Sequence, residues 1–140
     1  MEPWENAARD EIREIIARYT HLGDRGKVVE LAELFEPDGI FEISIRPAPF
    51  VGREAIAGCM AGLADEHVGD PEVTYVRHHV TNVTIELDGP TSARGESYWL
   101  VITDRGLWRW GRYRDTYRCG PDGSWRFVHR IARVDRQVPA

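Results

Sequence analysis

Among its 140 residues the chain carries two cysteines, two methionines and a single lysine. Cys59 and Cys119 stand far apart and in no CxxC arrangement, which excludes a disulfide-built fold or a zinc ribbon and fits a reducing compartment. No run approaches the ~20 apolar residues of a membrane span, so no membrane partner is expected. The opening residues, Met1-Glu2-Pro3-Trp4-Glu5-Asn6, are acidic and lack the basic-then-apolar order of a secretory leader; the expected location is the cytoplasm. There is no glycine-rich phosphate loop, no nucleophile elbow, no HExxH and no His-x-His. His21, His67 and His129 have no metal-ligand spacing. The chemistry to expect is free of cofactor and metal.

What is present suffices for one domain over residues 1–140: 42% hydrophobic and 10% aromatic residues can bury a core without staples. The formal charge is −5, unevenly spread. Residues 1–70 hold 7 basic and 15 acidic side chains, residues 71–140 hold 11 and 8. That balance argues against nucleic acid as a partner. One run, from Arg109-Trp110-Gly111-Arg112 to Tyr117-Arg118, does interleave arginines with rings in a way that can stack on single strands. Asp115 interrupts it, and the plainer reading is an exposed strand whose arginine stems cover apolar surface. Arginine outnumbers lysine 17 to 1, the compositional mark of a GC-rich bacterial genome.

Trp4, Ala8, Ile12, Ile15, Ile16, Tyr19 and Leu22 recur at steps of three and four, one face of a helix ending near Gly23. A short helix around Val28–Leu34 should stop before Pro37. Asp38-Gly39 reads as a turn into a strand over 40–45, and Pro47 and Pro49 as a loop. A third helix opens at Gly52 and runs to about Ala64, with Ile56, Met60 and Leu63 inward. From Val73 the pattern becomes β, with strands near 73–87, 92–103, 107–119 and 124–136 divided by Asp88-Gly89-Pro90, Asp104-Arg105-Gly106 and Gly120-Pro121-Asp122-Gly123. Strands this long suggest a curved antiparallel sheet with bulges. Helices segregated from such a sheet are the α+β class; laid across it they form a cone-like barrel with an open mouth, a natural small-molecule pocket.

The order of elements, together with Tyr19-Thr20-His21-Leu22-Gly23-Asp24, Leu34-Phe35-Glu36-Pro37-Asp38-Gly39, Val51-Gly52-Arg53-Glu54, Arg77-His78-His79-Val80-Thr81-Asn82, Gly111-Arg112-Tyr113-Arg114-Asp115 and Trp125-Arg126-Phe127-Val128-His129-Arg130, resembles the SnoaL-like branch of the nuclear transport factor 2 (NTF2)-like superfamily over nearly the whole chain. Around the pocket the chain looks most similar to scytalone dehydratase, bile-acid 7α-dehydratase and hexachlorocyclohexane dehydrochlorinase. The resemblance implies a cofactor-independent lyase, a dehydratase-type elimination on a small hydrophobic cyclic, polyketide- or steroid-like substrate. It implies Asp24, His78, Tyr19 and Arg130 as catalytic residues, and Tyr113, Tyr98, Met60, Phe50 and His79 around the substrate. A cyclase or isomerase in the same pocket, or a ligand-binding or assembly subunit without chemistry, is the alternative, because one fold hosts many functions. The similar lyases also imply a homo-oligomer, a trimer rather than a dimer; a Trp- and Tyr-rich outer sheet face would be costly to leave bare.

Elimination needs a base for a C–H proton and a donor for the leaving group. A neutral imidazole serves as base at cellular pH, and an aspartate on its other nitrogen fixes the tautomer. Tyr19 can donate to an oxygen, and Arg130 can hold a developing oxyanion. Each residue also has a structural reading. Tyr19 lies on the apolar helix face; Asp24, between Gly23 and Arg25-Gly26, can be a cap or turn residue. His78 and His79 point to opposite faces of a regular strand, with His78 favoured for the pocket unless a bulge exchanges them. Arg130 can be a buried charge paired with an acidic helix residue, and Asp115 an arginine-paired structural residue. Trp99, Trp108, Trp110 and Trp125 read as sheet or interface surface, and Cys59 as inert core.

Overall fold

Periodicity and fold agree first in the N-terminal helix, α1 (Pro3–Asp24), which buries Ala8, Ile12, Ile15, Ile16 and Tyr19. In the computed structural model, which describes residues 1–68 and 73–139, Trp4 stays 40% exposed, so the buried stripe begins at Ala8. Pro3 opens the helix, where its missing N–H is no loss, and the Glu5 carboxylate accepts the Glu2 N–H at 3.1 Å. Helix α2 (Val28–Ala32) is one turn and a half; α3 (Arg53–Val68) buries Ile56, Cys59 and Met60.

Strand β1 (Phe35–Ile43) starts earlier than the Asp38-Gly39 turn signal suggests. Phe35 already pairs with Phe127, and the register then slips before Ile40 pairs with His129. Pro37 and Gly39 lie inside that irregularity, where a ladder hydrogen bond is missing anyway. A Cβ on Gly39 would stand 2.9 Å from the Glu36 carbonyl oxygen, so the tight path needs glycine. The stretch expected as a loop contains a short strand, β2 (Phe50–Val51), paired with β1. Four long strands follow: β3 (Val76–Gly89), β4 (Ser92–Thr103), β5 (Gly106–Cys119) and β6 (Trp125–Gln137). The sheet order is β2-β1-β6-β5-β4-β3, with β1 and β6 parallel and every other pair antiparallel.

Bulges curve this sheet into a cone. Asn82 sits at φ +55° where the β3–β4 register shifts between Thr81 and Thr84, and further shifts fall at Trp110/Gly111 and Thr116/Tyr117. Each adds local bend and twist. At Gly111 the backbone closes on its neighbours: a Cβ there would lie 1.8 Å from the Arg133 carbonyl oxygen and 2.7 Å from Trp99 Cζ2. Backbone cannot yield as a flexible side chain can. Gly111→Ala is therefore expected to destabilise the protein by about 3 kcal/mol or more in chemical denaturation. A loss below about 1 kcal/mol would mean that the strands are not this close.

The core is aromatic, with Phe35, Phe41, Tyr117 and Phe127 buried between helices and inner sheet face. Trp99 and Trp125 are buried as well, which corrects the expectation that they lie on the sheet surface. Strand alternation is the reason: Trp99 shares its parity with Ala93, Ser97 and Val101, all buried. The outer face carries ion pairs instead, Arg112–Asp135 at 3.0 Å and Arg114–Glu96 at 3.5 Å among them. At their exposure such pairs add little to stability.

The two thiols should react unequally. Burial pushes the Cys59 thiol up to about 11, against the pull of Arg46. Burial raises Cys119 as well, with Glu11 and Asp122 adding to it, but that thiol is partly exposed at the end of β5. Since the thiolate is the nucleophile and access differs, Ellman's reagent at pH 8 is expected to label Cys119 faster than the buried Cys59. Equal rates would show that α3 opens readily.

Candidate active site

Helix α1 ends at Asp24, and Gly26, at φ +71°, turns the chain back towards α2. The last helical N–H groups are met by backbone: Arg25 N–H donates to the His21 oxygen and Gly26 N–H to the Gly23 oxygen. The Asp24 carboxylate is thus not spent on a cap or turn. It reaches β3, where Oδ2 accepts the His78 backbone N–H at 3.0 Å and Oδ1 lies 2.6 Å from His78 Nδ1. Two contacts to one residue fix both the strand and the ring. The Nδ1 contact leaves Nε2 without a protein partner among the described residues. His79, one position on, faces outward and is exposed.

Asp24 and His78 line a cavity of about 350 Å³ between the helices and the inner sheet face, with Tyr19, Met60, Trp99 and Tyr113 along its walls. Tyr19 is buried; its hydroxyl lies 3.9 Å from the Met60 sulfur and also donates towards the Tyr113 hydroxyl. A thioether is a weak acceptor and a phenol a modest one, so a developing oxyanion in the cavity would be the better partner for this O–H. Burial raises the Tyr19 phenol well above its ordinary range, with Tyr113 adding to the shift and Arg130 opposing it. Burial raises Tyr113 too, against Arg130, with Asp115 and Asp24 adding to it. Both walls therefore present neutral phenols, which are donors.

Arg130 does not reach the cavity, which corrects its expected role of holding an oxyanion directly. It is fully buried behind the two tyrosines, its Cζ 3.4 Å from the Tyr113 ring centroid and 4.2 Å from that of Tyr19. Its Nε faces Asp115 Oδ1 at 3.1 Å, so its partner comes from a strand and not from a helix. Desolvation works against the guanidinium charge, but Asp115 and the surrounding tyrosines outweigh it. Burial pushes the Asp115 carboxyl up, opposed by Arg130 and by the Tyr117 hydroxyl, which donates to it at 2.8 Å. Tyr98 is also corrected: it is 54% exposed on the outer face, one position out of phase with Trp99. Phe50 pairs with Phe41 on β2 and does not line the cavity. His67 has its side chain outside the described residues.

One wall residue was misread from sequence. Arg109 is only 5% exposed, lines the cavity and stacks on Trp108, with Cζ 3.9 Å from the ring centroid. The signal was there. Alternation puts 109, 111, 113, 115 and 117 on one face, so a pocket-facing Tyr113 requires an inward Arg109, while Arg112, Arg114 and Arg118 face out.

The profile of the SnoaL-like domain family matches residues 4–131. The chain belongs to the SnoaL-like family. Solved structures place this SnoaL-like protein in the NTF2-like fold. An NTF2-like protein with a cystatin-like fold from Novosphingobium aromaticivorans is 31% identical, with 91% of this chain and 81% of that one covered at a TM-score of 0.78. A protein from Catenulispora acidiphila, solved in complex with S-DNPA, is 32% identical over 93% of this chain and 95% of its own, TM-score 0.77. A second N. aromaticivorans protein, provisionally described as a scytalone dehydratase, is 25% identical, with 100% and 95% covered and a TM-score of 0.80. No curated protein sequence matches. No helix among the described residues of this SnoaL-like protein is long and apolar enough to cross a membrane.

Proposed function

We propose that this SnoaL-like protein is a cofactor-independent lyase that removes water from a small, largely apolar cyclic substrate of polyketide or steroid type. The observation that carries the reading is the contact of Asp24 with His78 at the edge of an open cavity walled by neutral phenols. With Nδ1–H held by Asp24, Nε2 takes a proton from carbon next to a carbonyl. The C–H electron pair becomes a new C=C bond, and the C–O bond beyond it breaks. The leaving oxygen departs as water by taking the same proton back from the His78 imidazolium, which returns the ring to its neutral form. Asp24 stabilises the imidazolium that forms, as a carboxylate does in any acid–base dyad of this kind. Tyr19 and Tyr113 donate to the carbonyl oxygen on which negative charge develops. Arg130, beneath both rings, acts as a positioning residue.

Two relatives support the reading, one provisionally described as a scytalone dehydratase and one bound to a small ligand, S-DNPA. A purely binding role would fit a filled cone or an Asp24 that reaches neither histidine; neither is what the site looks like. The test is a panel of cyclic β-hydroxy ketones followed by mass spectrometry for loss of water. Wild type is expected to form the enone and His78→Asn to fail. Full turnover by His78→Asn, or ring closure in place of water loss, would remove the lyase assignment.

A further inference from the structure

Arg109 is a buried cation whose charge is only loosely met among the described residues. Its carboxylate partner among the described residues is Glu66, with Oε2 3.8 Å away, and the other oxygen of that glutamate is held more tightly by Arg46. One carboxylate thus serves two guanidinium groups. A further polar contact is weak, Nη1 to Gln137 Oε1 at 3.5 Å. A guanidinium desolvated to this degree gains most from an anion placed directly against it. Burial lowers its tendency to stay charged, with Glu66 opposing, which is the imbalance a bound carboxylate would relieve.

The register places this group in line with the dyad. His78 pairs with Val101 across β3 and β4, and Val101 pairs with Arg109 across β4 and β5. Directly paired residues share a face of the sheet, so both side chains enter the same cavity two strands apart, roughly 10 Å at the backbone. Val101 between them is fully buried, and the cavity wall carries apolar side chains such as Trp99, Val76 and Leu63. An occupant that meets both ends has an apolar body and an acidic end.

We propose that the cavity takes an apolar ring substrate bearing a carboxylate, bound by Arg109 at the end away from His78. This deepens the lyase reading and rests on it for the word substrate, but its test needs no turnover. Wild type, Arg109→Met, Arg109→Lys and Glu66→Gln would be titrated calorimetrically with 1-naphthylacetate and with its neutral amide. Wild type is expected to prefer the carboxylate by roughly ten- to a hundredfold, the value of a charge-assisted hydrogen bond. Arg109→Met should lose that preference while binding the amide unchanged, Arg109→Lys should keep part of it, and Glu66→Gln should raise it. Equal binding of the two probes by wild type, no binding of either up to millimolar concentration, or a preference that survives in Arg109→Met would overturn the proposal. The two readings fail separately. A carboxylate preference without elimination on any substrate leaves Arg109 its role and removes the dyad's, and elimination of neutral ketones without the preference does the reverse.

Discussion

Alanine at His78 is expected to lower kcat by about 10²- to 10⁴-fold on any substrate this cavity eliminates, the usual contribution of a positioned general base. Asparagine at Asp24 should lose nearly as much, for a different reason. An amide at this position can still accept the His78 backbone N–H, now made to Oδ2 at 3.0 Å, so the strand stays in place. It cannot stabilise an imidazolium, and its own N–H can force the ring into the other tautomer. The loss should fall on kcat with KM little changed, since the walls and Arg109 are untouched and only the transition state feels the change. The double variant should be hardly worse than either single one, because groups that act as a unit are not additive. Full activity in Asp24→Asn would make the carboxylate a structural tie between α1 and β3. Steady-state kinetics on the three variants decides between these outcomes.

The largest stability effect is expected from Asp115→Asn. Arg130 is fully buried, and Asp115 is its carboxylate partner at 3.1 Å. Removing that charge while leaving the guanidinium in place strands a cation that cannot lose its proton; breaking such a pair costs about 3–5 kcal/mol. Arg130→Met should be milder, because the carboxyl left behind can take a proton, as its burial already favours. That asymmetry has a pH signature. In Arg130→Met the folded-state pKa of Asp115 lies above its unfolded value, so the folded protein binds the extra proton. The variant is then most stable below about pH 4, the unfolded carboxyl range. It loses up to about 1.4 kcal/mol per pH unit as pH rises towards the folded-state pKa, and levels off beyond it. The paired change Asp115→Leu with Arg130→Met should recover most of the loss, since an apolar replacement strands no charge. Urea denaturation of the four proteins across pH tests the series. An Asp115→Asn protein within about 1 kcal/mol of wild type would show that Arg130 finds other partners. Because Tyr19 and Tyr113 rest on the guanidinium, these variants should also disturb the cavity wall, visible as weaker ligand binding in proteins that remain folded.

Most of the architecture was legible along the chain. The three- and four-residue spacing of Ala8, Ile12, Ile15, Ile16 and Tyr19 is a local property, and so is the turn chemistry dividing the four long strands. Three candidate site residues, Tyr19, Asp24 and His78, were reached through motif resemblance, and the structure brings them to one cavity. Less was legible where one local rule masked another. Pro37 and Asp38-Gly39 look like a strand-breaking turn, yet a bulge absorbs them within β1. The run from Arg109 to Arg118 looks uniformly basic and exposed, although alternation splits it into an outer set and the inward Arg109.

The sequence alone determined the elements, the α+β class and the kind of cavity, because hydrophobic period and turn residues act over a few positions. Tertiary structure alone decided which side chains meet. Asp24 and His78 are 54 residues apart, and their contact depends on where α1 ends over the sheet and on how bulges bend β3. Arg130 and Tyr98 show the same limit: a residue type states what chemistry is possible, whereas access to the cavity is set by strand parity, by bulges and by the rings packed in front. Those depend on the whole sheet closing at once, and no window of neighbouring residues contains that information.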